Sequence, residues 1–285
     1  MDRVLFCADL HGNLCQFDAV ISHALAEGIG LVVFGGDLTP KDATRRTPAL
    51  QRAFLADELF PLFRSKVDPG VLQVLLILGN DDFRSNREFV VEQQQAGVPF
   101  RLIDRATFVT EDGFVIVGYS SVPSTPFRFK CWERRDLRGD SDFSARPDTR
   151  IEGVVSRGDE LVLYSLDEAL GLPSIEEDLD ALTEGLHMDR LVLVTHAPPF
   201  DTVCDFNREH RHVGSRGVRA FIEARQPYLT LHGHIHETVD LSGEFVETIG
   251  RTRCVAVGND HRPERPWVVE VGLGEDGPVV GRERI

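Results

Sequence analysis

Residues 3–38 read RVLFCADLHGNLCQFDAVISHALAEGIGLVVFGGDL, and the pattern of this stretch decides the fold class. Val4–Ala8 is a short apolar run. Leu14–Glu27 then places Leu14, Phe17, Val20, Ile21, Ala24 and Leu25 at the 3.6-residue spacing of a helix buried on one face, and stops at Gly28. Leu31–Phe34 is a second apolar run. Strand, helix and strand in succession predict parallel strands buried on both faces, with helices packed against them.

The rhythm continues outward. Thr47 followed by Pro48 reads as an N-cap with proline at the first helical position, opening a helix to about Arg64. Val71–Leu78 predicts a third strand and Asn86 to about Ala96 a helix. Phe108–Thr110 and Phe114–Val117 flank the turn signal Glu111-Asp112-Gly113 and predict an antiparallel hairpin. From Ser120 to about Gly171 the pattern is irregular, rich in charge and broken by Pro123, Pro126 and Pro147, as expected of an insertion over an otherwise regular domain. Regularity returns with a capping-box spacing at Ser174 and Glu177, strands at Leu191–Val194 and Tyr228–Leu231, and a helix capped by Ser215. Phe245–Ile249, Arg253–Val257 and Trp267–Val271 predict an antiparallel tail.

The chain of 285 residues is long enough for a large core, and a single domain spanning 1–285 with the insertion at about 120–171 is expected. No stretch reaches the roughly 18 apolar residues of a membrane helix, and no basic segment followed by an apolar one marks a signal peptide. Five scattered cysteines without a Cys-x-x-Cys pair form neither a disulfide framework nor a thiolate zinc site, so a cytoplasmic setting is expected. The net charge of −15 disfavours nucleic acid as a partner and requires that any anionic substrate be attracted by charge local to its site.

Five apolar runs each end in residue types that ligate metals. Val4–Ala8 leads to Asp9 and His11, Leu31–Phe34 to Gly35-Gly36-Asp37, and Val74–Leu78 to Gly79-Asn80-Asp81-Asp82. Leu191–Val194 leads to His196, and Tyr228–Leu231 to His232-Gly233-His234-Ile235-His236. Ligands of open α/β sheets lie beyond the carboxyl ends of the strands. If the five strands share one sheet, their loops gather Asp9, His11, Asp37, Asn80, His196, His234 and His236 in one crevice. Carboxylate, amide and imidazole donors without thiolate suit manganese, iron or zinc. Each motif alone is weak; the five in this order, each at a strand end, are hard to assign to packing.

The set resembles the signature of the calcineurin-like metallophosphoesterases: Asp-x-His, Gly-Asp, Gly-Asn-His-Asp/Glu, a lone His and Gly-His-x-His. Ser124-Thr125-Pro126-Phe127, Trp132-Glu133 and the segment His232–Glu237 look more loosely like the Icc-related microbial phosphoesterases. The resemblance implies a four-layer α/β sandwich of two mixed β-sheets flanked by helices. It implies one metal ion on Asp9, His11, Asp37 and His236, a second on Asp37, Asn80, His196 and His234, and Asp37 as the bridge. The implied activity is hydrolysis of a small phosphomonoester or phosphodiester by a hydroxide bridging two metal ions. Their charge would leave the site near +1, enough to hold a phosphate in an acidic protein.

One residue departs from the pattern. Asp81 stands where the family usually has a histidine that assists the leaving group or the transition state. Asp81 can act as an acid only if protonated, and when ionised it repels phosphate. The alternative expectation is therefore a protein that binds metal and phosphate ligands with little turnover. Of the other polar residues, His232 is expected to be a strand residue, Asn207, His210 and His212 a solvated loop, and Arg128 and Lys130 surface charge. Asn259-Asp260-His261 can approach the site from the tail. Asp82 is expected to support its loop.

Overall fold

A computed structural model describes residues 3–42, 44–143 and 152–285. β1 (Arg3–Cys7), α1 (Leu14–Ala26), β2 (Leu31–Gly35) and β3 (Gln73–Ile77) form the predicted start, and the three strands run parallel. Between β2 and β3, Thr47 caps α2 (Pro48–Phe54), which passes through a π-helical turn at Leu55–Leu59 into α3 (Phe60–Lys66). Pro61, near the start of α3, has no N–H for the α-helical ladder and crowds the preceding turn, and the wider turn accommodates it.

The chain continues through α4 (Arg87–Gln95) and β4 (Arg101–Leu102) to an antiparallel hairpin of β5 (Thr107–Val109) and β6 (Val115–Tyr119). A small hairpin of β7 (Val154–Arg157) and β8 (Glu160–Leu163) and the short α5 (Leu166–Leu170) lie in the irregular segment. Its residues 144–151 lie outside the described residues. Next come α6 (Ile175–Leu182), with its capping box formed, β9 (Leu191–Thr195), α7 (Arg216–Arg225), β10 (Leu229–His232) and α8 (Thr238–Ser242). The tail is β11 (Val246–Ile249), β12 (Thr252–Ala256), β13 (Trp267–Gly272) and β14 (Val279–Arg284).

These strands make two six-stranded mixed sheets, ordered β14-β13-β1-β2-β3-β4 and β11-β12-β10-β9-β6-β5. Alternation along each strand sorts side chains into layers. Leu5 and Cys7 of β1 point to a core shared with Phe17, Phe34, Phe60 and Phe63, under the first set of helices. Val4 and Phe6 point the other way and meet Val192, Val194 and Leu231 of the second sheet. Leu191 and Leu193 on that sheet's far face pack against Leu179 of α6 and Val218 and Phe221 of α7. The result is helix, sheet, sheet, helix. Each fully buried Phe, Leu or Val in these layers contributes about 1.5–3 kcal/mol by removal from water.

Two sequence expectations are corrected. The five motif-bearing strands do not share one sheet: β1, β2 and β3 belong to the first, β9 and β10 to the second. The tail is not one antiparallel unit either. β11 and β12 pair antiparallel, but β12 runs parallel to β10, and β13 crosses to the first sheet to pair antiparallel with β1. Among the described residues no helix is long and apolar enough to cross a membrane.

Candidate functional site

The loops after β1, β2 and β3 meet those after β9 and β10 at the seam between the sheets, and all seven expected donors come together there. Nε2 of His11 lies 3.1 Å from Nε2 of His236 and 3.6 Å from Oδ2 of Asp37. Nε2 of His196 lies 3.5 Å from the same Asp37 oxygen and 3.1 Å from Oδ1 of Asn80. Nε2 of His236 is 3.9 Å from Oδ1 of Asp9. Donor atoms of Asp9, His11, Asp37 and His236 all fall within 4.8 Å of one another. The His234 ring lies 5.1 Å from that of His196, and its backbone N–H donates to Asp9 Oδ1 at 3.0 Å. Asp37 is thus the group that faces both halves of the cluster.

The backbone bends unusually to achieve this. Asp9, His11, Asp37 and His234 all adopt left-handed φ, at 60°, 43°, 53° and 70°. Such conformations cost of order 1–3 kcal/mol each in non-glycine residues and gather at functional sites. Hydrogen bonds between the loops hold them: Asp9 N–H to Gly36 O at 3.0 Å, His11 N–H to Asp37 O at 2.9 Å, and Gly233 N–H to His196 O at 3.1 Å. Gly79 allows the β3 loop to press against Asp37, because a Cβ there would lie 2.7 Å from the His196 ring and closer still to the Asp37 backbone nitrogen.

The electrostatics call for a cation. Burial pushes Asp9 up to about 7, with Asp37 adding to the rise and His196 opposing it. Burial also acts to raise Asp37, but His196 and His11 beside it hold it well below the usual carboxylate range. Burial drives His11 well below an ordinary histidine and His236 down to about 3, so both rings are neutral with lone pairs to offer. His196 stands at about 9 despite burial, because Asp37 and Asp9 favour its charged form. Asp9 Oδ2 and His11 Nδ1 are buried without a hydrogen-bond partner among the described residues. Buried carboxylate oxygen and neutral imidazole nitrogens aimed at one point fit a metal ion. On His196, Nδ1 donates to Gly35 O at 2.9 Å, which turns Nε2 toward Asn80 and Asp37.

Comparison with known proteins agrees with this geometry. The sequence matches the calcineurin-like phosphoesterase family over residues 2–238. The chain belongs to that family. Its structure is similar to TT1561 of Thermus thermophilus (TM-score 0.59, 15% identity, 98% of each chain covered). It is also similar to a dimetal phosphatase from Danio rerio (TM-score 0.57, 12% identity, 99% of this chain and 96% of that one). A third similar structure is GAP50, described as the anchor in the inner membrane complex of Plasmodium (TM-score 0.51, 10% identity, 99% and 84%). At these identities the likeness is one of fold. No curated protein sequence matches significantly.

Around the donors, the chain has further groups that sequence reasoning partly missed. Asp82 holds the loop, as expected: its carboxylate accepts from the N–H groups of Leu38, Thr39 and Gly79 at 2.9–3.1 Å and from the Thr39 hydroxyl at 2.6 Å. Gln51 of α2 donates to Asp81 O at 2.8 Å and accepts from Phe83 N–H at 2.9 Å, fixing the other side. Asp81 N–H donates to Asp37 Oδ1 at 2.8 Å, and the Asp81 carboxylate pairs with Arg46 and lies 3.8 Å from His11 Nδ1. Burial and Asp37 push Asp81 up to about 6, against the opposing pull of Arg46 and Lys41. His232 is a buried strand residue, as expected. Its ring nitrogens pair with the Thr195 and Thr230 hydroxyls at 2.8 and 2.7 Å, and burial lowers it to about 3.

Two peripheral expectations change, and the approach of His261 from the tail is as expected. Lys130 is not surface charge: it is fully buried, bonded to Glu133 at 2.8 Å and Thr125 O at 2.7 Å. That pair fixes Ser124–Phe127 beside the crevice, while Arg128 is exposed. Asn207 and His212 are half-buried on the cavity wall, with His212 2.7 Å from Asp205; of the three only His210 is exposed. From the tail, His261 reaches the site edge-on to His11, with ring centroids 4.8 Å apart, and can complete a His11, His236 and His261 donor set. Asn259 anchors this approach by bonding Ala8 O at 3.0 Å and Gln16 at 3.1 Å. Four of the donors, Asp37, Asn80, His234 and His236, line a cavity of about 770 Å³.

Proposed function

We propose that the protein is a hydrolase of small phosphomonoesters or phosphodiesters that works with two transition-metal ions, manganese, iron or zinc. In this reading Asp9, His11, Asp37 and His236 hold one ion, and Asp37, Asn80, His196 and His234 hold the other. The observation that carries it is the packing of donor atoms of buried Asp9, His11 and Asp37 and half-buried His236 within 4.8 Å beside a cavity, with His196 against both the same Asp37 and Asn80. A bound metal pair supplies positive charge to the phosphoryl oxygens and lowers the pKa of the attacking water. The chain supplies the rest. Gly35 O fixes the tautomer of His196, Asp82 ties the β2 and β3 loops together, and Phe127 and Phe200 give the cavity apolar wall for a leaving group.

The whole chain acts in this reading as one domain, with the segment at about 120–171 as an insertion that shapes substrate choice. Ser124–Phe127, which line the cavity, favour that role. The acidic surface points away from nucleic acid as substrate, and the cysteine usage suits a cytoplasmic setting. The second reading, binding with little turnover, is favoured by Asp81 at the position of the usual histidine. The family fold does not decide between them, since one fold hosts catalysts and non-catalysts. Purified protein reconstituted with Mn²⁺, Fe²⁺ or Zn²⁺ is expected to take up about two ions per chain and to hydrolyse nitrophenyl mono- or diesters. Full metal uptake with no hydrolysis of either establishes the second reading, and no specific metal uptake refutes both.

A further inference from the structure

We propose that Arg46 binds the phosphoryl oxygens of the substrate and that Asp81 is its positioning residue. The charge lost with the usual histidine then returns to the site as a guanidinium held from the neighbouring loop. The idea rests on the phosphoesterase reading above.

Arg46 lines the cavity just before the cap of α2, and its Nη2 bonds the Asp81 carboxylate. Its guanidinium also lies over the Phe129 ring, 4.5 Å from the centroid, and Phe129 packs edge-on against Phe83 at 5.0 Å. A carboxylate on one edge and an aromatic face on one side leave the planar group little freedom. Asp81 in turn is tied to the donor cluster through its backbone bond to Asp37, so Arg46 is placed one residue away from the centre.

The guanidinium is not used up. It has five N–H donors, and its Nε is buried with no hydrogen-bond partner among the described residues. A buried, unpartnered N–H in a group already oriented by two others calls for an acceptor, and a phosphoryl oxygen in the cavity is one. An ionised Asp81 by itself repels that oxygen. Paired with Arg46, it is neutralised and delivers a fork of donors suited to phosphate.

The test uses Mn²⁺-reconstituted protein, with inorganic phosphate binding by calorimetry, metal content, and kinetics on nitrophenyl phosphate. Arg46→Met keeps an apolar stem over Phe129 and removes the donors. It is expected to leave metal content unchanged, weaken phosphate about 10- to 100-fold and lower kcat/KM about 10²- to 10³-fold. Arg46→Lys is expected to recover part of both, and added guanidinium ion to restore part of the activity of Arg46→Ala. Asp81→Ala should lose less than Arg46→Met, and combining the two should lose no more than Arg46→Met alone. Unchanged phosphate affinity in Arg46→Met overturns the proposal. So does an Asp81→Ala loss that adds fully to that of Arg46→Met, or that tracks lost metal, which assigns Asp81 to orienting His11. Wild-type protein that binds phosphate without turnover removes the hydrolase reading and leaves the Arg46 assignment to be decided by phosphate affinity. Wild-type protein that does neither overturns both.

Discussion

Replacing Gly79 with alanine adds one methyl group where the two sheets exchange their loops. The new Cβ would sit 2.7 Å from Cε1 of His196, against about 3.5–4.0 Å for an unstrained carbon contact, and closer still to the backbone nitrogen and carboxylate of Asp37. Neither neighbour can step aside cheaply. The His196 ring is fixed by Gly35 O at 2.9 Å, and the β3 loop is fastened to the Asp37 loop by Gly79 N–H and Leu38 N–H on one Asp82 oxygen. About 1 Å must open between backbone segments, and overpacking of this kind costs about 1–3 kcal/mol or more. In a chain of this size each kcal/mol lowers the melting temperature by about 2–4 °C. Displacing Asp37 and His196 also spreads the donors, so metal content should fall with stability. Gly139→Ala is the control, because among the described residues nothing lies within 4 Å of a Cβ added there. Its stability should change by less than about 0.5 kcal/mol. Differential scanning calorimetry and elemental analysis of both variants give the answer. If Gly79→Ala melts with Gly139→Ala and retains the wild-type metal content, the loop contact and the donor geometry built on it are wrong.

Asp37→Asn should lower metal affinity by more than tenfold, since even residues that merely orient a ligand are worth 10- to 100-fold, and hydrolysis should fall with metal content in the same titration. Thiol labelling of the native protein at pH 8 should reach Cys15 and spare the others. Cys15 is exposed, while Cys7, Cys131, Cys204 and Cys254 are buried. Burial pushes the thiols of Cys7, Cys204 and Cys254 up, that of Cys254 to about 12, so little thiolate exists at that pH. Rapid reaction of two or more thiols before unfolding contradicts this core.

Much of the architecture is legible in short-range pattern. The strand, helix and strand of residues 3–38, the Thr47 cap and the Ser174 capping box all form, because each depends on neighbours within a few residues. The seven residues that converge at the seam are legible for the same reason: each motif is local to one strand end. What depends on long-range partners was not. A strand buried on both faces reads alike in either sheet, so the division of β1, β2 and β3 from β9 and β10 leaves no mark in the runs themselves. β14 alternates between exposed and half-buried positions and offers little apolar signal. Lys130 reads as surface charge because its burial rests on Glu133 and a folded-back Thr125 carbonyl. The link between Arg46 and Asp81 joins residues 35 positions apart, and no spacing rule connects them. The left-handed φ of Asp9, His11 and Asp37 is likewise invisible at residues that are not glycine.

The strand order also has a consequence for synthesis on the ribosome. The second sheet, β5 to β12, is encoded wholly within the first, whose β13 and β14 come last. β1 therefore emerges early but keeps one edge open until Trp267–Gly272 arrives to pair Arg3 with Gly272 and Phe6 with Val269. All seven donors, from Asp9 to His236, are made before that edge closes. A nascent chain stalled between them carries the complete donor set and an unprotected apolar edge at once, the state in which strand edges recruit other chains. Interruptions of translation before Trp267–Gly272 thus leave that edge available to other chains.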